Sequence, residues 1–282
     1  MFVQQLNTKN MKKTLIALFC LSLLGIGKNT FAQDDKKFHF GLAIEPSVNW
    51  YSPTEKRDFE SAKSPLKFAF GLVTDFALSE NIWLSTGIGL GGGGGKINYL
   101  ENPDDNIGYF LNENDIIEPD GSYAGIDTTS DFISLTSREY KAQYVQIPFT
   151  LKMKTKEIGM MTYFGQFGAD ISVNTRGRAD DEGTNLSSTN NTDLTDLNIG
   201  NEMQPLLLGL NVGGGAEYNI SGSTSLFFSL NYHYGFVNAV KKTSKHLIEL
   251  DPIAALAGGD ATAYTPQKFN PMAISLKIGV LF

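Results

Sequence analysis

The stretch MAISLKIGVLF, residues 272–282, alternates between two kinds of side chain. One set is large and apolar, and the other is mostly small or charged and includes Ser275, Lys277 and Gly279. A period of two residues is typical of a β-strand with one apolar and one polar face. Its eleven residues are about the number that a tilted strand needs to cross a bilayer. The stretch therefore predicts a strand that is apolar on one side only.

The same alternation recurs in seven earlier segments, so the sequence predicts an all-β chain of eight main strands. In one of them Leu230, Tyr232 and Tyr234 alternate with Asn231 and His233. Each segment is near the length of a membrane-crossing strand. The earlier segments are 38–51, 66–78, 81–98, 143–154, 160–174, 204–219 and 223–237.

The connections between these segments alternate in length, long then short, without exception. Antiparallel neighbours joined in this way place all long connections at one end, which is the pattern of extracellular loops and periplasmic turns in outer-membrane barrels. We therefore predict an eight-stranded antiparallel up-and-down transmembrane β-barrel with long extracellular loops. The connections are 52–65, 79–80, 99–138, 155–159, 175–203, 220–222 and 240–269.

Periodicity alone does not say which face points outward, because a soluble barrel would bury the apolar face. The polar face here is rich in glycine and other small residues, as a narrow lumen requires. Phe282, at the tip of the last alternating segment, resembles the terminal signal that barrel-assembly machinery reads in outer-membrane proteins. Together with an export signal, these features favour lipid on the apolar side.

That export signal is predicted in residues 1–32. Met11-Lys12-Lys13 supplies a positive region, residues 14–26 are apolar, and Thr30-Phe31-Ala32 places small residues where a signal peptidase needs them. We expect cleavage between Ala32 and Gln33, which leaves residues 33–282 as one barrel domain. The only cysteine, Cys20, lies in the leader, so the mature chain carries no thiol chemistry.

The charge of the chain excludes some partners. The net charge is -7, and loss of the leader removes lysines but no acid. A negative protein without a basic stripe is a poor candidate for binding nucleic acid. The glycine run 91–95 lacks the Gly-Lys-Ser/Thr sequence of a phosphate loop, and we expect no cofactor or metal.

Charged side chains on the polar face are the candidate site. Opposite charges packed in a narrow lumen predict a structural network, since unpaired buried charge is costly. An ion or proton path remains an alternative, and His233 with Ser229 or Asn231 is the starting point for a third interpretation, a lipid-modifying enzyme. The predicted interior residues are Glu45, Asp75, Lys152, Lys154, Asp170, Glu217, His233 and Lys277.

The predicted loops are acidic, with Asp180-Asp181-Glu182 as one cluster that we expect to be solvated. Aromatic residues near the strand ends on this side predict an interfacial girdle. They are Trp50, Tyr51, Tyr99, Tyr234 and Phe236.

Four stretches resemble the PorT-like outer-membrane β-barrel family of Bacteroidota. They are 37–42, KFHFGL; 144–152, YVQIPFTLK; 163–168, YFGQFG; and 213–218, GGGAEY. The resemblance implies the barrel fold and the outer membrane but no single activity, although one branch of that family takes part in type IX secretion and gliding.

We therefore expect a non-enzymatic outer-membrane protein with a surface, envelope or structural role. Its expected partners are outer-membrane lipid, the barrel-assembly machinery, and an envelope or extracellular protein that meets the long loops. A narrow channel for small solutes or ions is the first alternative, and the lipid-modifying enzyme is the second.

Overall fold

The computed structural model describes residues 37–62, 66–100, 106–112, 115–117, 132–185, 190–242, 247–250, 262–265 and 267–282. The long strands within them alternate in side-chain exposure over much of their length, as the sequence pattern predicts. They are β1 (Phe38–Pro53), β2 (Phe59–Ala62), β3 (Leu66–Ala77), β4 (Ile82–Tyr99), β5 (Asn106–Asn112), β6 (Asp115–Ile117), β7 (Phe132–Lys154), β8 (Met161–Asn185), β9 (Asn191–Asn198), β10 (Leu206–Ser221), β11 (Thr224–Gly235), β12 (Ile248–Leu250), β13 (Thr262–Tyr264) and β14 (Phe269–Leu281).

Eight of these strands close into a ring in which every neighbouring pair is antiparallel. The order around the ring is β1, β3, β4, β7, β8, β10, β11 and β14, and β14 pairs back onto β1. Because the ring is closed, every ring strand is hydrogen-bonded to a neighbour on both sides. A sheet in the hydrocarbon layer needs this, since no water is present there to pair with free backbone N–H and C=O groups. The predicted eight-stranded up-and-down barrel is confirmed.

The outer face of the ring is a band of large exposed apolar side chains. Phe68, Leu230 and Phe70 are 63%, 61% and 62% exposed. Exposing so large an apolar surface to water would be unfavourable, and the surface matches the lipid-facing band of an outer-membrane barrel. The inner face carries the glycine, serine, asparagine and charged residues, so lipid lies on the apolar side.

Short turns join the ring strands at the end that also holds Lys37 and Phe282. They lie at 78–81, 155–160 and 222–223, and Gly159 and Gly222 adopt positive φ values of 69° and 58° there. Positive φ favours glycine, which has no Cβ to clash. The other connections are long, so this end is periplasmic and the opposite end is extracellular.

Two ring strands are longer than the sequence pattern predicts. β7 begins at Phe132 rather than at 143, and β8 continues to Asn185 rather than ending at 174. Parts of the predicted loops 99–138, 175–203 and 240–269 are therefore strand, including β5, β6, β9, β12 and β13. The extra residue Thr175 forms a bulge opposite the Gln143–Tyr144 step, and beyond it the inward and outward positions of β8 exchange.

Above this bulge the barrel wall continues as an extracellular extension. We use that name for Lys96–Tyr99, Phe132–Gln143 and Arg176–Asn185 together with β2, β5 and β9. Its outer face is charged and its inner face packs into a hydrophobic core, the reverse of the membrane band, because water replaces lipid as the solvent. That core includes Tyr51, Phe59, Ile97, Tyr99, Tyr109, Ile133, Tyr140, Ala179 and Phe269. Among the described residues, no helix is long and apolar enough to cross a membrane.

Candidate functional site

The periplasmic half of the lumen holds a four-charge cluster. Lys152 Nζ lies 2.6 Å from Asp75 Oδ2 and 3.5 Å from Glu217 Oε1. Lys154 Nζ lies 2.8 Å from Glu217 Oε2 and 3.8 Å from Asp75 Oδ2. Three strands of the wall, β3, β7 and β10, supply these side chains, and one further strand separates each from the next. Each is at most 8% exposed, so the cluster fills this section of the lumen.

Aromatic rings pack against the two lysines of the four-charge cluster. Lys154 Nζ lies 4.2 Å from the centre of the Trp83 ring, and Lys152 Nζ lies 4.7 Å from that of Phe164. A desolvated ammonium over a ring gains about 2 kcal/mol. The two cations are therefore held by carboxylates and by rings, which offsets part of the cost of burying them.

A second cluster crosses the middle of the lumen. His233 Nε2 lies 3.3 Å from Glu45 Oε1 and 3.1 Å from Ser275 Oγ. Its other nitrogen, Nδ1, lies 3.7 Å from Asp170 Oδ1. Ser275 donates to Glu45 at 2.5 Å, and Lys277 Nζ lies 3.4 Å from Glu45 Oε2. One imidazole from β11 thus lies between carboxylates from β1 and β8.

Two cavities lie in the lumen beside the middle cluster. A cavity of about 90 Å³ lies on one side of the middle cluster, below Tyr51 and Tyr144. A second, of about 60 Å³, extends from Glu45 and His233 toward Val73 and Asn211. Glu45, Asp170 and His233 line both.

The extracellular end is closed by the core of the extension, at whose centre a charge pair is buried. Arg138 donates from Nε to Asp181 Oδ1 at 2.7 Å and from Nη2 to Oδ2 at 2.6 Å. The Tyr109 hydroxyl donates to Asp181 Oδ2 at 2.8 Å, and the guanidinium lies 5.3 Å from the centre of the Tyr109 ring. Burial raises the pKa of Tyr109, and the Asp181 charge raises it further.

Two predictions about residues of this core are wrong. Tyr51 and Tyr99 do not belong to an interfacial girdle, since they are 1% and 4% exposed and point into the core, whereas Phe236 is 51% exposed. Asp181 is not a solvated loop acid, because Arg138 holds it inside. Its neighbours Asp180 and Glu182 do lie on the outer face, where they contact Lys141 and Lys96.

The structure brings the predicted interior residues together in the two lumen clusters. Asp75, Lys152, Lys154 and Glu217 form the periplasmic one, and Glu45, Asp170, His233 and Lys277 belong to the middle one. Phe282 lies apart from both: it is 51% exposed, and its backbone N–H donates to Phe40 O at 2.7 Å.

His233 does not contact the partners considered for a catalytic site. Asn231 donates to Ser229 at 3.2 Å and accepts from Gln166 at 2.5 Å, so that pair is engaged elsewhere. The imidazole meets Ser275 instead, a contact between neighbouring strands that spacing along one strand cannot reveal. Within the described ranges, no group of three or more His, Cys, Asp or Glu side chains is arranged to hold a metal.

The Arg138–Asp181 pair was missed from sequence. The available signal was alternation in 176–183, where Arg176, Arg178, Asp180 and Glu182 alternate with Gly177, Ala179 and Gly183. The rule for the membrane band does not reveal the pair, because the charged set faces outward there.

A closed barrel with an apolar outer band, a polar lumen and long connections at one end defines a protein of the outer membrane. The outer membrane protein beta-barrel domain family matches residues 31–241, and the chain belongs to that family. No curated protein sequence matches the chain.

Three solved outer-membrane barrels are similar in part. Neisserial surface protein A is 10% identical, covering 86% of this chain and 95% of its own, with a TM-score of 0.36. OprG from Pseudomonas aeruginosa is 9% identical, covering 87% and 94%, with a TM-score of 0.43. Ail of Yersinia pestis is 10% identical, covering 87% and 99%, with a TM-score of 0.29. The fold assignment rests on the strand order and the family match.

Proposed function

We propose that this chain is a non-enzymatic outer-membrane barrel with a non-conducting lumen, whose extracellular extension contacts a surface or envelope partner. The observation that carries the proposal is the filling of the lumen at both ends. Lys152 and its ion-pair partners occupy the periplasmic section, and Tyr51, Tyr140 and Phe269 pack together at the extracellular end with ring centres 5.4 to 6.4 Å apart. Such packing supports a role for the outer surface rather than for a pore.

Single-channel recording in planar bilayers tests the closed lumen. We expect no steady open-pore current from the purified barrel. The two lumen cavities favour a narrow channel as the second candidate function. A steady, salt-dependent current would establish that alternative and overturn the closed-lumen proposal.

The outer face of the extension is the proposed contact surface. Arg176 and Arg178 flank Asp196 there, at 3.5 and 3.7 Å, and Asp196 adopts a positive φ of 57°. This surface of mixed charge suits a polar protein partner. A photo-crosslinker at Arg178 should capture a protein in native outer membranes, whereas the same group at lipid-facing Leu230 should not. Equal capture at both positions would contradict the proposal.

The absence of enzymatic activity is also part of the proposal, and the position of His233 inside the lumen supports it. We expect no lipid turnover by the purified barrel in mixed micelles. Turnover that disappears in His233→Ala would establish the lipid-modifying alternative instead.

Two finer assignments complete the proposal. We place the chain among the PorT-like barrels of Bacteroidota on the strength of the motif at Tyr144–Lys152. Recovery of type IX secretion components with the crosslinked protein would assign it to the secretion branch of that family. We also propose export by a cleaved signal peptide, and sequencing of the mature N-terminus should begin at Gln33.

The barrel-assembly machinery is the proposed partner during insertion, with Phe282 as the residue that it reads. Phe282→Ser should slow the appearance of folded barrel in the outer membrane, whereas Phe76→Ser should not. Phe76 is a lipid-facing ring near the same end.

A further inference from the structure

The larger lumen cavity is lined by side chains from several strands, with charged groups on one side and tyrosine rings on the other. We call it the lumen chamber and define it by Glu45, Asp170 and His233 below, Tyr51 and Tyr144 above, and the glycines 92–94 in its wall. Gly93 leaves room for the Tyr144 ring, because a Cβ at this position would lie 2.6 Å from Tyr144 Cε2. The absence of side chains on this arc lets the tyrosine fit and keeps the space open.

Three buried oxygen atoms that line the chamber make no hydrogen bond to a described residue. They are the hydroxyls of Tyr51 and Tyr144 and the Oδ1 atom of Asp170. The two tyrosines are only 1% and 6% exposed. Leaving a buried oxygen without a hydrogen-bond partner destabilises the folded state. Each of the three can accept a hydrogen bond, so the chamber presents several acceptors to whatever occupies it.

The charge of the lining also favours a ligand that donates hydrogen bonds. Its lining holds two carboxylates, of Glu45 and Asp170, against one imidazole, of His233, and Lys277 lies outside the lining, against Glu45. Glu45 is engaged by His233, Ser275 and Lys277. Among the described residues, Asp170 makes one ion pair, with His233 at 3.7 Å, which is beyond hydrogen-bonding distance. The carboxylate of Asp170 is therefore less engaged than that of Glu45.

We propose that the lumen chamber binds a small organic ammonium ion, which donates N–H groups to the Asp170 carboxylate and to the hydroxyl oxygens of Tyr51 and Tyr144. A cavity needs about 10–15 Å³ to hold one water, so a volume of about 90 Å³ has room for a ligand of a few heavy atoms.

Titration by NMR in detergent micelles at constant ionic strength tests this site. Ethylammonium chloride should produce saturable shifts of the backbone amides of Gly92–Gly94, whereas ethanol and sodium acetate, of similar size but neutral or anionic, should not. Asp170→Asn keeps the shape and removes the charge, and it should weaken ethylammonium binding at least tenfold. The matched control is Asp180→Asn, which removes an acid from the outer face of the same strand and should leave binding unchanged.

A second variant keeps the proposal testable if Asp170→Asn does not fold. Tyr144→Phe retains the ring and removes one acceptor, so it should weaken binding severalfold. The proposal is overturned by the absence of saturable shifts, by equal shifts with ethanol, or by unchanged affinity in Tyr144→Phe and in a folded Asp170→Asn barrel. Those results would mean that the chamber holds water only. None of them bears on the closed lumen or on the contact surface of the extension.

Discussion

Arg138 and Asp181 form a two-pronged ion pair at the centre of the extracellular core, with side chains only 2% and 1% exposed. Their strands, β7 and β8, are adjacent around the barrel, and the pair joins them above the level of the membrane. Tyr109 of β5 donates to the same carboxylate, so a third strand is attached to it. One buried pair thus organises the part of the molecule that faces the cell exterior.

Arg138→Leu should lower the free energy of unfolding by about 3–5 kcal/mol, because it leaves the Asp181 charge buried without its partner. Urea titration in micelles measures the change. Removing both charges in Arg138→Leu/Asp181→Leu should restore most of the loss. Lys96→Gln is the control, since the Lys96–Glu182 pair is exposed and such pairs contribute about 0–1 kcal/mol. A cost for Arg138→Leu no larger than that of the control would contradict this role.

Alkaline pH should destabilise the extension. Burial raises the pKa of Tyr99, Tyr109 and Tyr140 above the ordinary value of 10.0. The unfolded chain therefore releases these protons first, and the free energy of unfolding should fall as the pH rises above about 10. Unfolding measured at a series of pH values should show this decline, and Tyr109→Phe should make it shallower. Folded tyrosines that ionise together with the unfolded ones, as read by phenolate absorbance, would exclude the effect.

Lys152→Met should destabilise the barrel by about 3–5 kcal/mol, because Asp75 would keep only Lys154, 3.8 Å away, as its counter-charge. Thermal unfolding followed by the mobility of unheated samples on gels reports the change. Lys277→Met is the comparison, since Lys277 is 25% exposed and its one ion pair within the described ranges is with Glu45. The loss for Lys277→Met should be clearly smaller, and similar losses for both would refute the special position of the periplasmic cluster.

Gly94→Ala should cost at least about 1–3 kcal/mol, the range for strained backbone at a non-glycine residue. Gly94 has a φ of 128°, and an added Cβ would meet Tyr140 O at 1.9 Å. Gly89→Ala, five residues earlier on the same strand, has no atom nearer than 3.9 Å to the added Cβ and should be nearly neutral. Comparing their urea midpoints tests whether the glycine run is needed at specific positions or only as a small-residue stretch.

The membrane section of the barrel could be predicted because its signal is local. In β14, for example, Ile274 and Ile278 face lipid while Ser275 and Lys277 face the lumen, and the pleat alone fixes that alternation. The inward position of His233 and Lys152 follows from the same rule. The partners of these side chains could not be predicted, since Ser275 reaches His233 through the register between two strands.

The extension escaped prediction for two physical reasons. The bulge at Thr175 exchanges the two faces of β8, and the surroundings of the wall change there from lipid to water. A rule that places charges inside then fails at Arg178 and Glu182, which point outward, and at Tyr140, which points inward.

The sequence by itself determined the number of ring strands, the alternation of faces in the membrane band and the asymmetry between short and long connections, because each is a property of neighbouring residues along the chain. Only the tertiary structure decided which charges meet, where Arg138 finds Asp181, and where the lumen stays open below Tyr51 and Tyr144. Those features depend on the register of paired strands and on the closure of the ring, which bring together residues far apart in the chain.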